Sequence, residues 1–592
     1  MSTDAELPQD LAGCHTLIQT LFESLSQQQD QLQQKNTELS AKDAQIQKLL
    51  QRLYGARGER YVHDPNQLQL DFGADPQLAD TLAEAADELE QAGQTVEYTV
   101  KRRRFKQRAE RSETFPEHLQ RYEVTAEVPA SEQVCQTHGP RKIIGYDRTE
   151  TLEFEPIKLR VRVTLYPKLA CENAPECGIR EPERPTGLVE GNRYDTSVAA
   201  EVVAARFSLH MPYYRQQDHF AGSGWVPSRS TLWNLVTQVD FVVDPLVRYL
   251  GELVVGGRNH PPPVDAVLGC DETPVTVLMP RQLPTVVADD PRSRREFEIL
   301  QQSLAEGKRT LDGRMWAYRS VQLPINFFDF TLGRQRAGPD EVLQHYAGIL
   351  VGDCWTGFQR IHLRTDERIT HAACWAHARR YVYETLRNHP RPASVLLAWI
   401  QQLYDTEERA KTLSAADRLA LRQKESQPLV TRIKAYLDSE ELQRVLPKSD
   451  LATALNYLRN QWDALGVFLR RGEVPIDNNE VEQLMKQVAT GRKNWLFVGS
   501  VDAGRRAASM LTLVTSAVRN DLHVWAYLKD ILDQLLAGST DYEALRPDIW
   551  KQSHPEAVRT YRQDERRYAS ERKSRSWEQR RRELERRRTN SG

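Results

Sequence analysis

Three carboxylates carry the chemistry that this sequence can be read for. Asp271 stands in AVLGCDETPVTVL and Asp353 in AGILVGDCWTGF, each after a short apolar run of strand type. Such runs are buried, and a solvated aspartate rarely belongs in or at the end of one. The third acid, Glu482, lies in PIDNNEVEQLMKQVATGRKNWLFVGS, residues 475–500. Val481, Leu484, Met485 and Val488 recur there at i, i+3, i+4 and i+7, the stripe of a helix packed on a core. Glu482 falls on one flank of that stripe, one turn from Asn478 and one turn from Lys486. Glu480 falls on the opposite flank, about 160° away at roughly 100° per residue. Pro475 stops the preceding run, and Asp477 with Glu480 reads as an N-cap and its capping box, which gives Glu480 an ordinary structural task. A carboxylate beside a buried face, next to an amide and a cation, becomes a metal ligand when other acids converge on it. Oxygen-only ligands suit magnesium or manganese rather than zinc.

The order Asp, Asp, Glu followed by GRKNWLF resembles the DDE transposases of the bacterial insertion sequence 66 family. The resemblance covers the chain from its N-terminal zipper to the region around residue 550. Its most specific parts are DNNEVEQ with GRKNWLFVGS, CWAHARR at 374–380 and GDCWTGF at 352–358. Gln483 stands where the family usually has Arg directly after the last acid, and Lys486 where it tends to have Arg. The resemblance implies a ribonuclease-H-like catalytic core in which Asp271, Asp353 and Glu482 hold two Mg2+ (or Mn2+) ions. One ion would activate an attacking oxygen and the other would stabilise the leaving oxygen of a phosphodiester. Water as nucleophile cuts a strand, and the freed 3′ hydroxyl joins it to a target, without a covalent enzyme intermediate. The implied partners are double-stranded DNA, as element terminal repeats and as target, and small accessory proteins of the kind usually encoded beside this family.

Around those acids the supporting residues are Asn478, Lys486, His377 and Arg380. Arg492 and Lys493 with Trp495 can bind phosphates and stack on an unpaired base, although on spacing alone GRKNW is equally a charged turn closing its helix. Cys374 and His377 form a CxxH with no second pair nearby, so no zinc is expected there. Cys270 and Cys354 flank two of the acids, and no His–Asp arrangement argues for a nucleophilic thiol.

From residue 264 the elements that must position the acids read as a strand around Asp271, strands at GRMWAYRS and INFFDFTL, a helix at DEVLQHYAG, a strand into Asp353, a strand at ITHAAC and a helix containing HARRYVYE. Three sequential strands followed by alternating helices and strands predict a mixed α/β sheet covered on its faces. Residues 385–473 read as a helical insertion, and ASMLTLVTSAV and VWAYLKDILDQLL as further amphipathic helix.

Upstream, Cys135 and His138 in CQTHG and Cys171 and Cys177 in CENAPEC flank strand-like KLRVRVTLYPKL, the layout of a zinc ribbon holding structural Zn2+. Five residues separate Cys171 from Cys177, wider than the usual knuckle. The run YYRQQDHFAGSGWVPSRSTLWNLVTQV offers helix, Gly-bearing turn and a second helix capped by Ser228, which is helix-turn-helix spacing. Arg229, Ser230 and Asn234 would then meet phosphate or base edges. Leu11, Ile18, Leu25, Leu32, Leu39, Ile46 and Leu53 stand seven apart, the heptad of a leucine-zipper coiled coil through which the chain self-associates. A single amphipathic helix docked on its own chain is the competing reading. The basic run KRRRFKQRAER at 101–111 is either a phosphate contact or a solvated segment.

At 592 residues the chain is multidomain, and its net charge of −2 gives no global field for nucleic acid, so any DNA surface must be local. No apolar run reaches about 18 residues, which argues against a membrane span, and the polar N-terminus is no signal peptide. Seven cysteines over this length are no secreted disulfide scaffold, so a reducing, nucleoid-associated cytoplasmic setting is expected. The expected domains are the coiled coil (1–57), a charged linker (58–115), a zinc-binding domain (116–190) and a helix-turn-helix-like domain (191–260). The core (261–384), its insertion (385–473), the segment with the last acid (474–500), C-terminal helices (501–545) and a basic tail (546–592) follow. Beside the transposase reading stand a nuclease of the same fold that cuts without joining and a non-catalytic DNA-binding architectural protein.

Overall fold

Residues 142–155 and 158–170 alternate apolar with charged side chains, and they form two long antiparallel strands. The computed structural model describes residues 115, 117 and 119–575, apart from 156–157, 172–176, 190–192, 264, 288, 354–357, 359–360 and 573–574. The heptads, the basic run at 101–111, Cys354 and residues 576–592 lie outside the described residues.

The first strands are β1 (Gln120–Thr125), β2 (Val134–Cys135), β3 (Gly139–Pro140), β4 (Lys142–Glu155) and β5 (Lys158–Ala170). β4 and β5 pair antiparallel, β1 joins β5 in parallel, and β2 with β3 makes a separate small ribbon. Leu152, Val161 and Val163 are fully buried in the core shared with α1 (Thr196–Phe207), an Ala- and Val-rich helix whose cap Asp195 accepts from Ser197 N. Next come α2 (Tyr213–Ala221) and α3 (Arg229–Val255). Ser228 caps α3 as expected, accepting from Thr231 N at 3.0 Å. The connection of residues 222–228 is longer than the 3–4-residue turn of a tight helix-turn-helix. Along α3, Leu232, Leu235, Val236, Val239, Val243 and Leu246 are buried in the same core as the sheet that follows.

That sheet contains β6 (Val267–Leu278), β7 (Thr310–Ser320), β8 (Asn326–Leu332), β9 (Gly348–Gly352) and β10 (Ile369–Ala373). Its order is β10-β9-β6-β7-β8. β6 pairs antiparallel with β7 and β7 with β8, while β9 and β10 lie parallel to β6 on its other side, a mixed sheet as expected. Between β6 and β7 stands α4 (Pro291–Ala305), a helix where consecutive strands were expected. After β10 come α5 (Trp375–Glu384), then α6 (Pro390–Ala410), α7 (Gln427–Leu437) and α8 (Asp450–Asn460) in the expected helical insertion. The chain returns through α9 (Asn479–Trp495), α10 (Val501–Arg519) and α11 (Val524–Leu536).

Two devices hold this arrangement. The open edge of β8 would leave backbone donors unpaired, and α10 supplies acceptors for them. Phe328 N donates to Thr512 Oγ1 at 2.9 Å and Asn326 N to Ser516 Oγ at 3.0 Å. In the insertion, the fully buried Arg422 donates to both carboxylate oxygens of Glu407, at 2.8 and 2.6 Å, and to the Phe468 and Arg471 carbonyls. A buried charge persists only when matched in this way. Among the described residues no helix is long and apolar enough to cross a membrane.

Candidate active site

β6 and β9 pair in parallel, with Leu268 opposite Leu350 and Gly269 opposite Val351. Continuing that register by two residues sets Asp353, just past the end of β9, alongside Asp271. The third acid arrives on the first turn of α9, and the approach of that helix depends on a glycine. A Cβ on Gly269 would lie 2.4 Å from Val481 Cγ2 and 3.1 Å from Asn478 Oδ1, so only glycine admits α9 this close to β6. Asn478 then clamps the contact. It is buried, its Nδ2 donates to the Cys270 carbonyl at 2.8 Å, and its backbone N–H donates to Cys374 Sγ at 3.3 Å.

The two neighbouring glutamates diverge as helical geometry requires. Glu480 is exposed and meets Arg319 Nη2 on β7 at 2.5 Å. Glu482 is half-buried, with Oε1 3.8 Å from His377 Nε2. The capping box is not formed. Helix α9 begins at Asn479, one residue later than expected, and Asn478 makes no side-chain cap. Asp477 instead accepts from Asn479 N at 3.1 Å, and Glu480 pairs across to the sheet.

Burial pushes the Asp271 carboxyl up to about 8, and neighbouring Glu272 and Asp353 add to it, with a smaller push from Glu482. Glu482 is also raised by burial, against the pull of Arg380 and Lys486. Burial lowers His377, helped by Arg380, so its ring is held neutral. Glu272 and Arg334 join the site without having been expected from the sequence. Arg334 Nε meets Glu272 Oε1 at 2.5 Å and its Nη2 reaches Asp353 Oδ2 at 3.6 Å, tying the two acids together. A fourth carboxylate directly after Asp271, in a strand, was the available signal. Buried oxygen donors that resist joint ionisation fit divalent cations, whose charge would relieve that repulsion.

Ligand atoms of Cys374, His377 and Glu482 all lie within 4.8 Å of one another. Contrary to the expectation of a CxxH without partners, the fold therefore supplies a third donor to it. Among the described residues, Cys135, His138, Cys171 and Cys177 form the other such group, a cluster able to hold a metal. β2, β3 and their turn deliver Cys135 and His138, and the end of β5 delivers Cys171. His138 Nδ1 lies 3.4 Å from Cys135 Sγ and 2.9 Å from Cys177 Sγ. His138 and Cys177 are each followed by a glycine at positive φ, Gly139 at 82° and Gly178 at 75°, so both turns fold back tightly after their second donor.

The remaining candidates are spread over the surface. Arg229, Ser230, Asn234 and Lys493 are exposed, as are the supporting Lys486 and Arg380. Arg492 donates to the Pro274 carbonyl and lies 3.5 Å from Thr273 Oγ1. Trp495 is half-buried, with the Arg206 guanidinium 5.7 Å from its ring centroid.

The family model described as Transposase IS66 family matches residues 191–287 and 297–506, and one described as Transposase C of IS166 homeodomain matches residues 43–124. Two curated relatives from Sinorhizobium fredii (strain NBRC 101917 / NGR234) are similar over most of their length. Uncharacterized protein y4jD is 30% identical over 539 residues, covering 89% of this chain and 98% of the relative. Uncharacterized protein y4hP is 27% identical over 542 residues, covering 88% and 90%. With more than half of its length inside the family model, and with the acids Asp271, Asp353 and Glu482 brought to one region of the core, the chain belongs to the IS66 family of transposases.

Proposed function

We propose that the protein is a DDE transposase that binds the ends of an insertion element, cuts DNA there and joins the freed end to a target. The reading is carried by one observation: the interior of β6, the end of the parallel strand β9 and the first turn of α9 deliver two aspartates and a glutamate to one partly buried region. The order of the sheet, three antiparallel strands flanked by two parallel ones, supports a ribonuclease-H-like core. When bound, two Mg2+ or Mn2+ ions supply nucleophile activation and charge stabilisation at the leaving oxygen. Asp271, Asp353 and Glu482 hold them. Arg334, anchored by Glu272, positions Asp353, and neutral His377 steadies Glu482. Asn478 fixes the distance between β6 and α9, and exposed Lys493 offers charge to a phosphate backbone.

Arg229 and Asn234 on the exposed face of α3 contact DNA, and Arg492 and Trp495 shape the edge of the site. The donors Cys135, His138, Cys171 and Cys177 hold one structural Zn2+. The heptads from Leu11 to Leu53 bring chains together, so that two DNA ends are held in one assembly. Incubation of the full chain with element-end DNA and Mg2+, followed by mapping of nicks and joints, tests this reading. Strand-transfer products from a pre-cut end are expected. Cutting without joining would make the protein a nuclease, and binding without either would leave an architectural role.

A further inference from the structure

We propose that Cys374, His377 and Glu482 form a second thiophilic metal site, open to Zn2+, that withdraws Glu482 from the catalytic acids when filled. The three donors come from two segments whose starts are fastened to each other. Trp375 N donates to the Ile476 carbonyl at 3.1 Å and Asn478 N to Cys374 Sγ at 3.3 Å, so the beginnings of α5 and α9 cannot drift apart independently. Cys374 is fully buried at the N-cap of α5, His377 sits on the first turn of that helix, and Glu482 sits on the first turn of α9.

Their ligand atoms lie within 4.8 Å of one another, and the His377–Glu482 pair already stands at 3.8 Å. With bonds of about 2.0–2.3 Å, donors around a tetrahedral zinc stand roughly 3.3–3.8 Å apart. Small side-chain rotations close the difference. His377 gives one ring nitrogen to an ion: Nε2 faces Glu482 at 3.8 Å, while Nδ1 is buried without a hydrogen-bond partner and would be satisfied by an ion bound on that side of the ring.

The donor set selects the ion. A thiolate, an imidazole and one carboxylate favour zinc over magnesium, which takes oxygen ligands and keeps its waters. Binding displaces the Cys374 thiol proton to solvent. Positive helix ends favour the two anionic donors. Arg380 and Lys486 oppose an incoming cation near Glu482, while Asp477 and Asp353 favour it. Three protein donors leave the fourth position to water, and half-exposed Glu482 provides the way in. Occupancy binds the same carboxylate that the proposed DNA chemistry needs, so zinc acts as a brake. The metal site stands by itself, and only the brake rests on the proposed function.

The test uses the full chain loaded with Zn2+ alone and then freed of excess metal. Two zinc ions per chain are expected, falling to one in Cys374→Ser and also to one in Cys171→Ser/Cys177→Ser. Co2+ loading should give thiolate charge-transfer absorption from both sites, and Cys374→Ser should remove only part of it. The part that remains shows that the variant is folded around its other cluster. His377→Ala supplies a second variant with the same expected loss. One zinc per chain in the wild type, or two retained in both variants, would overturn the site. For the brake, Mg2+-supported end cleavage should fall at least tenfold on adding Zn2+ to the wild type, and the ratio with and without Zn2+ should approach one in Cys374→Ser. Equal inhibition of both proteins overturns the brake. A wild type that never cleaves with Mg2+ overturns the proposed function while the zinc count still decides the site.

Discussion

The thiol cluster of the small domain and the acid cluster of the sheet handle concentrated negative charge in opposite ways. Around Cys135 the turn itself supplies relief. The Thr137 backbone N–H, then His138, pull the Cys135 thiol down to about 5, while burial and the neighbouring thiols push Cys177 up to about 11. Around Asp271 the chain supplies little relief, so burial and adjacent acids push the carboxyl up to about 8. The helical insertion shows a third solution, since Arg422 and Glu407 neutralise each other inside the chain. Donors gathered by a local turn come with their own hydrogen bonds. Donors gathered across a sheet leave charge for something outside the chain to balance.

The largest effect is expected for Cys171→Ser/Cys177→Ser, because metal binding by such small domains is worth on the order of 10 kcal/mol and is itself folding energy. Metal analysis should show the ion lost, and hydrogen exchange should show Val134–Pro140 losing protection while the five-stranded sheet keeps it. Unchanged protection would mean that the cluster is not structural. Arg422→Ala should destabilise the chain by about 3–5 kcal/mol, because Glu407 is left without its partner. A denaturant titration showing under 1 kcal/mol would remove the self-neutralised pair from the account. Gly269→Val should lower strand cleavage about a hundredfold by pushing α9 away from β6. Wild-type rates in that variant would show that the spacing is not critical.

The two clusters should also titrate with opposite sign in metal-free protein. Asp271 is raised from an ordinary value of 3.8, so the native state holds an extra proton between that value and about 8. Its contribution to stability therefore falls as pH rises through that window, and Asp271→Asn should flatten the slope. Cys135 is lowered from 9.0 to about 5, so its contribution is present above 9 and is lost as pH falls toward 5. Melting temperatures of wild type, Asp271→Asn and Cys135→Ser across pH 5 to 9 check both signs, and parallel slopes would contradict them. The smallest effect is expected for Glu480→Gln, since an exposed ion pair contributes under about 1 kcal/mol. Both its melting temperature and its cleavage rate should stay near wild type.

Much of this was legible in the residues. Apolar runs before Asp271 and Asp353 announced buried strands, and the stripe from Val481 to Val488 put Glu482 on the flank facing the site. The knuckle donors were visible because each pair sits in one short segment. Helix α4 was also legible, from Asp290 as cap and Pro291 at its first position, but it was passed over in favour of consecutive strands. The start of α9 could not be read because Asn478 faces β6 rather than its own helix, and a tertiary contact overrode the local capping pattern. The third donor beside Cys374 and His377 was hidden for the same kind of reason. It comes from more than a hundred positions away, and no local spacing encodes that meeting.

In the proposed function Glu482, with Asp271 and Asp353, performs the DNA chemistry. The most direct measurement is cleavage and joining of element-end DNA in Mg2+ by the full chain and by Glu482→Gln, with DNA binding measured on the same preparations. Nicks and joints are expected from the wild type, and from Glu482→Gln neither product with binding intact. Cleavage by Glu482→Gln at a rate near that of the wild type would contradict the proposed function.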